Sequence, residues 1–264
     1  MDEVLIEPGD IATLTLNRPD RRNALTVEAT RRAAEALEHT ASESRVVILT
    51  GAGSAFCAGG DFDELKRMSE SGAEGAADDL YSGYQHLIRT IREVEVPVIA
   101  AVNGPAMGAG MDVALACDLR VASSRARLGQ VWARLGIIPG TGGAFWTTVH
   151  AGPSRAAQLL LTGEVIDAIL AEAWGLVNEV VGPEELLPRC RELGEAIATN
   201  PPGALAANKK ALNEVIRPFY EAALEYAREV QPGLFAGDEF KDALAARAGG
   251  SGGSSPPSPT SPAR

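Results

Sequence analysis

Apolar and polar positions along this chain follow two rhythms, short strand-like runs and longer stretches with apolar residues three and four apart. VLIE (4–7) and IATLTLN (11–17) predict a hairpin across Pro8-Gly9-Asp10. Thr26, with Glu28 just after it, opens a helix over TVEATRRAAEALEHTA. RVVILTG (45–51) is apolar on both faces and reads as a buried strand. A Gly/Ala-rich loop, GAGSAFCAGGDFDEL, leads into a helix at about Asp61. SESGAEGAA has no period and reads as a loose segment, whereas 79–94 carry Leu80, Tyr84, Leu87, Ile88 and Ile91 at helical spacing.

The stretch 96–118 organises the rest. Val98 to Val102 form a short β-branched run between Pro97 and Gly104, and small residues then lead into the helical pattern MDVALA. Such a strand–helix junction leaves backbone N–H groups unpaired at the helix start, with the helix dipole behind them. Donors of this kind suit a developing negative charge. Asp112 follows Ala109 by three residues, which sets its carboxylate near the side of that amide. A plain tight junction with an acidic first-turn residue is the alternative reading of the same letters.

Two short strands follow, LRVAS and ARLG, then a second glycine-rich turn, GIIPGTGGAF, that starts another helix. Residues 152–161 and 167–174 read as helices, 176–181 as a strand, and 183–198, 203–216, 218–229 and 234–247 as helices. Alternation of strand and helix followed by a helical end predicts an α/β fold with a C-terminal helical module. We expect a core over 1–200, a helical region over 201–247, and a disordered Gly/Ser/Pro tail over 248–264.

Charge changes the picture in one respect. With 24 Lys and Arg against 35 Asp and Glu, the 264-residue chain carries a formal net charge of −11, which argues against nucleic acid or an anionic membrane as partner. The dense basic cluster Arg18, Arg21 and Arg22, inside NRPDRRNAL, is the exception. No stretch approaches about 18 apolar residues, and no signal-peptide pattern opens the chain, so a cytoplasmic protein is expected. Three scattered cysteines without a CxxC pair argue against a disulfide framework or a zinc site. Gly51-Ala52-Gly53 opens like a dinucleotide loop, but Phe56 stands where its third glycine belongs, and no phosphate-loop lysine follows. Ser54 lacks the nucleophile-elbow frame, and His39, His86 and His150 read as surface or capping residues.

Four ordered segments, NRPDRRNAL, AFCAGGDFDEL, VIAAVNGPAMGAGMDVALACDLRVAS and LGIIPGTGG, closely resemble the enoyl-CoA hydratase/isomerase (crotonase) superfamily, from about residue 4 to about 247. The resemblance implies a spiral of ββα units whose C-terminal helices build trimers, often pairs of trimers. It implies an acyl-CoA substrate and an enolate held by two backbone amides, which fall here on Gly60 and Ala109. It places coenzyme A on the RNAL segment, with Ala24, and on the backbone around Ala58; Arg21 and Arg22, with Arg18, are candidates for its phosphates. Gly108 belongs to the same motif, and Phe240 and Arg247 are candidates for closing over the coenzyme. No metal or redox cofactor is implied, since coenzyme A is part of the substrate.

Departures from the family pattern bear on the reaction. Hydratases of this kind carry two glutamates; the first maps to Asp112 and the second to Trp132, which shapes a pocket but exchanges no proton. The aspartate that some relatives use eight positions later maps to Gly140. Asp112 is thus the one motif-anchored acid, unless Asp63, Glu64 or a C-terminal residue enters the pocket. Hydration or double-bond isomerisation is the leading expectation. Thioester or C–C hydrolysis, dehalogenase-like chemistry and a lapsed CoA-binding protein are the alternatives. Asp61 and Asp118 are expected to cap or brace loops.

Overall fold

The protein is described by a computed structural model covering residues 3–249, without the side chains of Ala73 and residues 247–249. Most of the expected tail, and the side chain of Arg247, therefore lie outside the described residues. No described helix is long and apolar enough to cross a membrane.

Six strands form the main sheet, in the order β1-β2-β3-β4-β6-β9. They are β1 (Val4–Glu7), β2 (Ile11–Leu16), β3 (Val46–Gly51), β4 (Val98–Val102), β6 (Leu119–Ser123) and β9 (Glu179–Val181). Only the β1–β2 pair is antiparallel, in the register Val4↔Leu16. β3 and β4 are buried along their whole length because helices cover both faces. Val47, Leu49, Val98 and Ala100 face the large core, and Val46, Ile48, Ile99 and Ala101 face α9 (Leu186–Ala198) through Leu186 and Cys190. A second sheet joins β5 (Ala106–Met107), β7 (Arg127–Gly129) and β8 (Val165–Asp167). Sequence pattern missed β5 and β8, since runs of two and three residues carry no period and exist only through their partners.

α1 (Val27–Glu43) starts where expected, with the Thr26 hydroxyl accepting from Ala29 N. α2 (Phe62–Glu70) is capped by Asp61, which accepts from Asp63 N. The segment expected to be loose contains α3 (Gly72–Asp79), held by packing on its neighbours. It continues as a π-helical turn (Leu80–Gln85) into α4 (His86–Glu93). α5 (Ala109–Ala116) follows β5, and α6 (Gly143–Ala151), α7 (Pro153–Thr162) and α8 (Ala168–Ala173) follow the second glycine turn.

The C-terminal region differs from expectation. α10 (Pro202–Ala236) is one 35-residue helix running through Pro218 and Pro232, and α11 (Asp238–Gly249) follows it. A proline removes one intrahelical bond, a local cost that burial on both sides outweighs here. Lys209 and Asn213 are buried before Pro218, and Tyr220 and Leu224 after it. Lys209 Nζ lies 2.9 Å from Asp118, whose other oxygen is 3.1 Å from Arg92 and which also accepts from Val98 N. Asp118 thus braces β4, α4 and α10 together.

Candidate active site

Two loops leave the C-terminal ends of neighbouring parallel strands, residues 52–61 after β3 and 103–108 after β4. They run alongside each other as a short parallel ladder. Phe56 N and Cys57 N both lie 3.1 Å from Pro105 O, and Met107 N donates to Cys57 O at 3.0 Å. Two asparagines fasten them. Asn23 Nδ2 donates to the carbonyls of Ala52, Ala55 and Phe56, and Asn103 Nδ2 to those of Gly51, Gly53 and Ala55. Arg22 and Asn23 have φ of +50 and +55, a left-handed pair that Asn23's bonds hold in place. Neither asparagine was singled out from sequence, where an amide inside a polar loop has no distinguishing pattern.

Close approach of the loops requires glycine at two positions. Gly59 has φ +96, and a Cβ there would lie 2.7 Å from Met107 O and 3.7 Å from Ala109 N. Gly108 has φ +51, and its missing side chain is replaced by the indole of Trp132, 3.1 Å from where a Cβ would be. Gly60 and Ala109 sit one residue beyond these glycines. Among the described residues neither of their N–H groups has an acceptor in the protein, although the flanking Gly59 O, Asp61 N and Gly108 N are all bonded. The Ala109 amide also opens α5, so the helix dipole adds partial positive charge there.

Asp112, one turn into α5, is fully buried. Gln130 Nε2 donates to Oδ1 at 2.7 Å, Thr141 Oγ1 donates to Oδ2, and the Gly143 amide supplies a third bond at the start of α6. Burial pushes the carboxyl up to about 7, against the opposing pull of those three donors. The carboxyl is therefore divided between its two protonation states near neutral pH, the condition under which one group both takes and returns a proton. Gln130 and Thr141 were not expected from sequence; each lies near a glycine motif but makes its contact only across the fold.

The remaining predicted residues fall into three places. Arg21, Arg22, Ala24, Ala58 and Gly60 line one surface cleft of about 300 Å³. Gly108, Ala109 and Trp132 are buried together, with Ala109 beside Gly59, and Asp112 lies one turn further on, buried against Gln130, Thr141 and Gly143. Phe240 is in neither. It is fully buried, 5.0 Å from Phe235 between ring centroids, so the expectation that it closes over a ligand is corrected: it is a core residue.

The arginines also separate. Arg18 is tied to Asp61 at 3.3 Å, Glu3 at 3.4 Å and the Ala24 carbonyl, which makes it a brace. Arg21 pairs with Asp63 and Asp61. Arg22 has no ion pair among the described residues. No second acid comes from α2, because Asp63 is exposed and paired with Arg21, while Glu64 accepts from Val27 N and pairs with Arg67. His150 Nε2–H donates to Leu115 O from the end of α6, where burial lowers its pKa to about 4. Cys57, Cys117 and Cys190 are buried free thiols.

An α/β spiral whose adjacent loops carry such an amide pair is of the crotonase class. A family model described as enoyl-CoA hydratase/isomerase matches residues 7–248, and the chain belongs to that family. The short-chain-enoyl-CoA hydratase of Clostridium acetobutylicum is 37% identical over 246 residues, covering 92% of this chain and 93% of that one. The 1,2-epoxyphenylacetyl-CoA isomerase of Escherichia coli K12 is 32% identical over 243 residues, covering 91% and 92%. The crystal structure of enoyl-CoA hydratase from Bacillus halodurans superimposes with a TM-score of 0.87 at 26% identity, over 93% of this chain and 100% of that one. The chain is accordingly an enzyme of hydratase/isomerase type.

Proposed function

We propose that the protein binds an acyl thioester of coenzyme A and stabilises its enolate with the amides of Gly60 and Ala109, while Asp112 carries the proton. The observation behind this reading is the pair of unpaired amides on touching loops, with a carboxyl of pKa about 7 on the first turn of the same helix. Coenzyme A would lie along the cleft beside Ala24 and Ala58, with Arg22 facing its phosphates. No metal or redox group takes part.

Double-bond migration is favoured over water addition. Moving a proton between two carbons of one enolate needs a single group that accepts and returns it, and Asp112 is suited to both. Water addition ordinarily uses a second carboxylate, and the motif resemblance puts Trp132, whose indole exchanges no proton, at that position. Exchange of the α-proton of unsaturated acyl-CoA esters in D2O, with mass spectrometry of products over a panel of esters, tests the reading. Exchange with shifted double bonds is expected. Free acid as the product would favour thioester hydrolysis, and binding without exchange would favour a lapsed enzyme.

The reading extends to assembly and compartment. Leu212, Val215, Phe219 and Tyr226 are exposed along one side of α10, an apolar stripe that burial in a homotrimer or hexamer would cover. Light-scattering mass measurement should give a multiple of three chains. Three buried free thiols fit a reducing compartment such as the cytoplasm.

A further inference from the structure

The π-helical turn Leu80–Gln85 reaches both halves of the candidate site through its last two residues. Turns of this kind are rare and recur at functional positions. A Cβ on Gly83 would lie 2.8 Å from Thr30 Oγ1 and 3.1 Å from the Val27 Cα, so the turn sits directly on the start of α1. Tyr84 is buried, and its hydroxyl donates to Leu25 O at 2.6 Å. Leu25 is bridged in parallel to Gly60: Leu25 N donates to Gly59 O, and Leu25 O accepts from Asp61 N, each at 2.7 Å. In a parallel bridge the residue between the two bonded neighbours points its own N–H to the opposite side. Leu25 thus turns the Gly60 N–H away from itself, and Tyr84 fixes Leu25.

Gln85 is fully buried, and its Nε2 donates to Gly140 O at 3.0 Å and to Leu224 O of α10 at 2.8 Å. Its Oε1 has no donor among the described residues, so donation is what this amide contributes. The carbonyl it grips belongs to the peptide joining Gly140 to Thr141, and the Thr141 hydroxyl donates to Asp112 Oδ2. Gln130, Thr141 and the Gly143 amide are the donors that act on the Asp112 carboxyl, and no charged side chain among the described residues shifts it.

We propose that Tyr84 and Gln85 are positioning residues: Tyr84, through Leu25, aims the Gly60 N–H at the thioester oxygen, and Gln85, through the Gly140–Thr141 peptide, keeps the Thr141 hydroxyl on Asp112. This inference rests on the enolate reading above and adds the element that holds donor and acid in register. A misplacement of about 1 Å in such a pair costs roughly 10²-fold in rate.

Tyr84→Phe and Gln85→Met carry different signatures. The first removes one donor while Leu25 O keeps its bond from Asp61 N, so no group is left unpaired. Exchange of the α-proton of 3-hexenoyl-CoA in D2O should slow about tenfold in Tyr84→Phe, with KM changed less than about twofold and the Asp112 titration unmoved. In Gln85→Met the carboxyl carbon resonance of Asp112, assigned by its loss in Asp112→Asn, should titrate about half a unit to one unit higher, because the weakened bond from Thr141 favours the charged form. Thr141→Val should raise it at least as far, and the double variant no further. A Thr141→Val protein that titrates like the wild type overturns the Gln85 route, whether or not Gln85→Met folds. Either single variant that changes only the melting temperature overturns the role of its residue and leaves the enolate reading standing. If the wild type does not exchange, that reading fails and the Tyr84 role with it, while the titration, read without substrate, still decides Gln85.

Discussion

Replacing Asp112 by Asn removes one ionisation at nearly constant volume and separates two roles for this side chain. The carboxyl rises from an ordinary 3.8 to about 7 in the fold, chiefly through burial. Between those values the folded protein binds a proton that the unfolded chain has released, so stability falls as pH rises. The contribution is fully present below about pH 4 and is lost as pH passes through 7. A difference of about 3 between the two values corresponds to about 4 kcal/mol, as an upper bound. Asparagine cannot ionise, so denaturant melts of Asp112→Asn should lack this slope between pH 4 and 7. Against that gain stand the bonds from Gln130 to Oδ1 and from Thr141 to Oδ2, one of which must face an NH2 group, at about 1–3 kcal/mol. The variant should therefore equal or exceed the wild type in stability at pH 8 and fall below it at pH 4. Its turnover should drop by about 10²–10⁴ with CoA-ester binding retained, and the wild-type kcat should titrate near pH 7. Identical pH slopes in the two proteins would refute the raised pKa. Unchanged turnover would leave Asp112 as a brace between α5 and α6 and nothing more.

Other substitutions address the remaining parts of the site. Ala109→Pro deletes one amide at the first helical position, where proline's φ is tolerated; kcat should fall about 10²–10³-fold with the circular dichroism spectrum unchanged. Arg22→Ala should raise the Kd for acyl-CoA about tenfold or more by calorimetry and leave dephosphorylated acyl-pantetheine unaffected, whereas Arg18→Ala should chiefly lower the melting temperature by freeing Asp61. Gly140→Asp does not restore a second acid. A Cβ there would meet Gln231 Oε1 at 2.5 Å and Leu80 Cδ1 at 2.8 Å, so loss of stability by more than about 2 kcal/mol without gain of hydration is expected.

Much of the candidate site was legible because its motifs are local. Gly60, Ala109 and Asp112 lie within a few residues of a glycine loop, and backbone donors constrain spacing more than side-chain identity. What escaped was contact across the chain. Gln130 and Thr141 reach Asp112 over 18 and 29 residues, and Asn23 and Asn103 stitch loops that are distant in sequence. Phe240 misled because an aromatic residue near the C-terminus has the same letter whether it lies on a surface or in a core. Proline at 218 misled because its local penalty is visible in sequence and the burial that offsets it is not.

The letters alone determined the strand–loop–helix junctions, the α/β class and the absence of a second glutamate, because periodicity, glycine placement and residue type are local properties. Only the tertiary structure decided that burial raises the Asp112 carboxyl to about 7, that Arg18 braces while Arg22 has no ion pair among the described residues, and that the Trp132 N–H has no acceptor among them. Each of these is an energy of desolvation or partnership, and it exists only once distant segments have closed around the group and excluded water.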